Sequence, residues 1–142
     1  MTTAVSFVVL GSAAPKGSMS AFAFRRGDGS LGAVVTDKTK GSREWQLAVR
    51  YAARAQCRGV YFDGAVRLAV AFYLPRPKSL PKKVTQHTKK PGLDKLVRAV
   101  KDALKGIVWK DDSQVVEVFA RKYYAPAQPQ AHIEITNDEG KE

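Results

Sequence analysis

The sequence predicts an α+β domain, a mixed β-sheet with two main helices packed on one face. Three observations predict it. Val66, Leu68, Val70, Phe72 and Leu74 alternate strictly with their neighbours, the period of a half-buried strand. Residues 43–58 and 96–107 switch to helical spacing. The elements also follow the order strand, hairpin, helix, strand, helix, strand, strand, which departs from regular βαβ alternation. With 142 residues the chain suits a single domain spanning 1–142. A chain of this size buries about two-thirds of its unfolded surface and needs no disulfide or metal staple.

Val5, Phe7 and Val9 alternate with smaller or polar residues and predict the first strand. A small-residue loop over 11–20 follows and contains Pro15-Lys16-Gly17. Residues 22–26 and 31–36 flank Gly27-Asp28-Gly29, where glycine tolerates the positive φ of a tight turn, so a hairpin is expected. Residues 38–42 (KTKGS) form a polar connector. Trp45, Ala48, Val49, Ala52 and Ala55 then fall on one helix face, and Gly59 is a natural stop. The strand at 66–74 ends at Pro75. Leu96, Val97, Val100, Ala103, Leu104 and Ile107 predict a second amphipathic helix ending near Gly106. Val116, Val118 and Ala120 open another strand, Ile133 and Ile135 the last, and residues 137–142 are a short polar tail.

The chain holds 24 Lys and Arg against 13 Asp and Glu, a net charge of +11 that points toward a polyanion. Residues 38–90 carry thirteen basic and two acidic residues, a surplus equal to the whole net charge. The part from 76 to 90 (RPKSLPKKVTQHTKK) has six basic residues and no acidic one, broken by Pro77 and Pro81. Such a loop can lie along phosphates without reading bases. It makes Arg76, Lys82, Lys83, Lys89 and Lys90 candidate DNA contacts, with Lys95 beyond it as a weaker candidate.

Several classes are excluded. No apolar run approaches the roughly 20 residues of a membrane span, and the first residues lack the basic start of a signal peptide, so no membrane partner is expected. Cys57 is alone, which fits a buried thiol in a reducing cytoplasm. His87 and His132 lie near no nucleophile elbow, and no phosphate-binding Gly-x-x-x-x-Gly-Lys-Ser/Thr loop exists, so no nucleotide cofactor is expected.

Carboxylates are scarce in so basic a chain, yet four of the eight aspartates are Asp94, Asp102, Asp111 and Asp112. Each has a structural reading. Asp94 can cap the second helix, Asp102 can pair with Arg98 or Lys105, and Asp111-Asp112-Ser113 can be a turn. The functional reading is a set of hard oxygen ligands for Mg²⁺ beside a phosphate track. A helix of about 12 residues is roughly 18 Å long, so Asp94 and Asp112 meet only if the chain folds back between them.

The segment 90–116, KPGLDKLVRAVKDALKGIVWKDDSQVV, resembles the RusA family of Holliday junction resolvases, small phage and bacterial endonucleases that cut four-way DNA junctions. The likeness rests on Gly92-Leu93-Asp94, Leu96, Arg98, Asp102-Ala103-Leu104 and Trp109-Lys110-Asp111-Asp112-Ser113-Gln114-Val115. More loosely it extends to Pro15-Lys16-Gly17, Trp45-Gln46 and Pro75. The resemblance implies a RusA-like fold and a homodimer that binds a four-way or branched DNA in the bacterial or phage-infected cytoplasm, for recombination and repair. It also implies one Mg²⁺-dependent site per subunit nicking opposed strands. By the same resemblance Asp94 and Asp112 are metal ligands and catalytic residues, and Asp111, beside them, is a third candidate metal residue. Arg98 stands where the family has a catalytic lysine, and Asp102 is structural.

Gly92 departs from the pattern, because the family carries the first aspartate of an Asp-x-Asp pair there and glycine offers no ligand. With that carboxylate gone, cation binding weakens while DNA binding survives, so this chain is expected to be a weakened or inactive form. Two further readings follow from the residues: a non-catalytic branched-DNA-binding protein of the same fold, and a basic RNA-associated structural protein.

Overall fold

The computed structural model describes residues 2–15, 19–25, 27, 28, 30–37 and 41–139, with the backbone alone in 19–25 and 31–37. Lys16, Gly17, Arg26, Gly29, Lys38, Lys40 and residues 140–142, which figure in the expectations above, lie outside the described residues.

The strictest alternation builds the centre of the fold. In β4 (Val66–Leu74) all five apolar residues of the alternating set are buried. It pairs with β6 (Gln130–Asn137) on one side, antiparallel, and with β5 (Val115–Tyr124) on the other, parallel. β1 (Ala4–Leu10) completes the sheet antiparallel to β6, in the order β1-β6-β4-β5. Phe7 and Val9 of β1 and Ala131, Ile133 and Ile135 of β6 join the buried side of β4, because alternate residues share a sheet face. Helices α1 (Ser42–Gln56) and α2 (Leu93–Leu104) press Trp45, Val49, Leu96, Val100 and Leu104 into that same core. β2 (Met19–Arg25) and β3 (Leu31–Asp37) pair antiparallel as a separate two-stranded sheet. The predicted α+β class and element order are those observed.

Element edges differ from the pattern for local reasons. Ala55 of α1 is exposed and Ala53 takes its place in the buried stripe. The helix ends at Gln56, with Cys57 as its C-cap, before Gly59 turns at φ 72°. α2 begins at Leu93 and stops at Leu104, short of Ile107, because Lys105 leaves helical geometry and Gly106 adopts φ 83°. The chain then doubles back, with Gly106 N donating to Trp109 O at 2.7 Å, and Trp109 is fully buried. Val116 and Val118 are not core residues, being 57% and 42% exposed, because β5 lies at the edge of the described sheet, with β4 as its one described neighbour. Periodicity reports the pleat and not what covers it.

The parallel pairing of β4 and β5 decides where the candidate site residues go. Parallel neighbours need a crossover, so the chain leaves the far end of β4, passes through residues 75–92, and returns along α2. Residues 75–92 and the head of α2 therefore lie at one end of the strands. The tail of α2 and a short 3₁₀ turn (Asp112–Gln114) lie at the other. Gln114 fastens that second end. Its Nε2 donates to Phe62 O at 2.8 Å and to Gly64 O at 2.9 Å, while its Oε1 accepts from Lys110 N and Asp111 N at 2.9 and 3.0 Å. Gln114→Leu, which keeps the bulk and removes these bonds, is expected to lower unfolding stability by about 2 kcal/mol in a urea titration.

Candidate functional site

The basic loop is held from within and from β5. Arg76, on leaving β4, donates to Val84 O and Pro81 O, both at 2.8 Å, and its guanidinium lies 5.2 Å from the centre of the Tyr124 ring. His87 packs on the same ring, 4.5 Å between centroids. Burial, with the Lys122 ammonium nearby, pushes its pKa below the ordinary 6.5, so His87 is neutral at pH 7. Lys122 Nζ donates to Lys89 O at 2.7 Å and to Pro91 O at 2.8 Å, tying β5 to the residues just ahead of α2. The Lys90–Pro91 peptide is cis.

This arrangement divides the basic residues. Lys82, Lys83, Lys89 and Lys90 are exposed and present their ammonium groups to solvent along the loop. Arg76 is half-buried, and its guanidinium is bonded to loop carbonyls, so it shapes the track on which the lysines stand. Lys122 and Tyr124 are not among the candidates that the sequence singles out. Both sit in an ordinary strand pattern, and only the parallel register of β5 carries them to the loop.

At the head of α2, Gly92 is the N-cap, with φ −67° and ψ 143° and no side-chain cap. Asp94 is therefore not the cap. It lies in the first turn, exposed, where its charge complements the positive end of the helix. Lys95 and Arg98 are exposed on the same helix, and Arg98 lies one turn after Asp94. A Cβ placed on Gly92 would meet Asp94 Oδ1 at 3.0 Å, so a carboxylate at 92 would stand directly against that of Asp94. Asp102 is half-buried in the last turn of α2, away from the helix head.

Asp111 and Asp112 serve the opposite end. Asp111 is the N-cap of the 3₁₀ turn and accepts from Ser113 N at 3.0 Å in a reciprocal box with Gln114. That backbone bond, with Lys105 and Lys110 nearby, holds its carboxyl below the usual aspartate value. Asp112 is half-buried and accepts from Trp109 Nε1 at 2.9 Å through Oδ1. From Val115 to Lys122 the strand runs about 23 Å at 3.3 Å per residue, and α2 spans about 18 Å. Asp94 and Asp112 therefore stand at opposite ends of the β4-α2-β5 unit and do not meet within one chain. The fold-back that would join them does not occur.

A hard divalent cation takes six or more oxygen donors, usually with several carboxylates among them. The head of α2 offers one carboxylate, and among the described residues no group of three or more His, Cys, Asp or Glu is placed to hold a metal ion. The donors of a single chain do not fit such a cation. What one chain does offer is an exposed ammonium track that runs into a carboxylate and a guanidinium at a helix head, a surface suited to a phosphate backbone.

Two comparisons bear on this arrangement. YqaN of Bacillus subtilis (strain 168), an uncharacterised protein, is 39% identical over 72 residues, covering 44% of this chain and 51% of that protein. The chain thus spans about half the length of that relative. A family model described as endodeoxyribonuclease RusA matches residues 17–136, taking in β4, the basic loop, α2 and both aspartate positions. The chain belongs to the RusA endodeoxyribonuclease family.

Proposed function

We propose that this chain binds branched DNA, with four-way junctions as its preferred form, and that it acts there as an endodeoxyribonuclease whose cutting is weakened by Gly92. Family membership implies Holliday junction resolution and dependence on a divalent metal. The observation that carries the reading for this chain is the boundary at Pro91. There the exposed lysines of the loop meet Asp94 and Arg98 at the head of α2. Lys82, Lys83, Lys89, Lys90 and Lys95 would neutralise phosphates and set the position of the duplex. Arg98 would hold the phosphate at the helix head, its planar fork suited to two phosphate oxygens.

The separation of Asp94 from Asp112 adds a requirement. If both serve one Mg²⁺, the two carboxylates come from different copies, so the working unit is a homodimer with two equivalent sites and paired nicks. A non-catalytic junction binder of the same fold is the second reading. It is favoured by Gly92, which leaves the helix head with a single carboxylate.

Each part has a measurement. On synthetic four-way junctions with Mg²⁺, Gly92→Asp is expected to cut at least about tenfold faster than the chain as given, with EDTA abolishing the cutting. Equal rates would remove position 92 from the site, and no cutting by either would leave the binder reading. In the Gly92→Asp background, Asp94→Asn and Asp112→Asn are each expected to be inactive alone. Co-refolded as a mixture they should regain activity, because one site of the mixed dimer keeps both carboxylates. A mixture as inactive as its components would place both ligands in one chain. Replacing Lys82, Lys83, Lys89 and Lys90 with Ala should flatten the log–log salt dependence of junction binding by about 0.9 for each phosphate no longer neutralised. An unchanged slope would move the track elsewhere.

A further inference from the structure

Not all of the positive charge stands in the loop. Of the thirteen basic residues between 38 and 90 the loop holds six, while Arg43, Arg50, Arg54 and Arg58 belong to α1 and the turn after it. Glu44 is the one acidic residue of that helix. Trp45, Val49, Ala52 and Ala53 turn toward the core, which leaves Arg43, Leu47, Tyr51 and Arg54 on the outer face, at i, i+4, i+8 and i+11. All four are exposed, Tyr51 at 77% and Leu47 at 55%. Arg58, also exposed, flanks a cleft together with Arg54, Tyr61 and Ile107.

Packing sets this face at the second end of the β4-α2-β5 unit. Arg50 Nε donates to Ala103 O at 3.1 Å, and Phe62 N donates to Val108 O at 2.7 Å. Arg50, Arg54 and Arg58 therefore gather around the tail of α2, about 18 Å along the helix from its head. Lys105 and Lys110, both exposed, stand at the same end, near Asp111. The charge of this face fits a polyanion and repels a second copy of so basic a chain. Arginine forks take two phosphate oxygens, and tyrosine hydroxyls reach phosphate and sugar, neither contact reading a base.

We propose that the outer face of α1, with Arg58, is a second phosphate-binding surface, which holds the DNA backbone beyond the reach of the lysine loop. Arg54 and Arg58 supply its charge, and Tyr51, one turn before Arg54, faces the same backbone. The inference rests on the DNA-binding reading and extends it to the aspartate-turn end of the unit. Each end then sets carboxylates beside cations: Asp94 beside the loop lysines and Arg98, Asp111 and Asp112 beside the arginines of α1.

The test measures equilibrium binding of the full chain to a synthetic four-way junction in EDTA, where no strand is cut. Arg54→Gln with Arg58→Gln should lower affinity at least about tenfold at about 0.15 M salt, and flatten the log–log salt dependence by about 0.9 for each phosphate released. Arg54→Lys with Arg58→Lys keeps both charges and should retain most of the affinity. Arg67 alternates with the buried Val66 and Leu68 and so lies on the open face of the sheet; Arg67→Gln should change affinity less than about twofold. Circular dichroism melts check that each variant is folded, and Arg58→Glu alone is read in place of a glutamine pair that melts early. Unchanged affinity in the glutamine pair, a lysine pair as weak as the glutamine pair, or an equal loss in Arg67→Gln would each overturn the surface. If replacing Lys82, Lys83, Lys89 and Lys90 weakens binding while the glutamine pair does not, this surface falls and the DNA-binding reading stands. If neither set changes affinity, both fall.

Discussion

The parallel pairing of β4 with β5 is the constraint from which the rest of this structure follows. Two adjacent parallel strands cannot be joined by a tight turn, so the chain must carry a crossover from the far end of β4 to the near end of β5. That crossover is the candidate functional segment itself: basic loop, helix, then aspartate turn. The sheet thereby sorts the chemistry by position along the strands. Lysines, Asp94 and Arg98 gather at one end, and Asp111, Asp112 and Gln114 at the other.

Each end is held by a set of side-chain bonds to the backbone. Arg76 and Lys122 bind the loop through its carbonyl oxygens, and Tyr124 gives Arg76 and His87 a surface to rest on. At the other end Gln114 and Asp111 bind each other's backbone while Trp109, fully buried, fixes Asp112 through its indole N–H. Of the polar members of the string Trp-Lys-Asp-Asp-Ser-Gln, Asp111 and Gln114 are engaged in holding the start of β5 in place. Charge is partitioned in a similar way. The loop exposes its lysines to solvent, whereas β5 sets Glu117 among the exposed Val116, Val118 and Phe119.

Much of the fold is legible in the sequence because its strongest signals are local. The alternation at 66–74 and the two amphipathic stripes depend only on the pleat of a strand and the pitch of a helix, and all three elements are where the periods put them. The end of α2 is less legible, since Ile107 continues the apolar spacing while Gly106 breaks the backbone beneath it. Val116 and Val118 alternate as core residues would, yet lie exposed, because alternation carries no information about which strand is an edge. Asp94 has the residue type of a cap and is a first-turn residue, since the cap position falls on Gly92.

By itself the sequence determined the element order, the location of the positive charge, the family motif and the glycine at position 92. These are properties of residue type and spacing, which persist whatever the chain packs against. Only the tertiary structure decided that Asp94 and Asp112 stand apart, that Arg76 turns inward, that Lys122 reaches Pro91, and that no described strand pairs with the outer side of β5. Those outcomes depend on strand order and direction, which join residues distant in the chain. No local period encodes whether two strands run parallel or which of them is left at the edge.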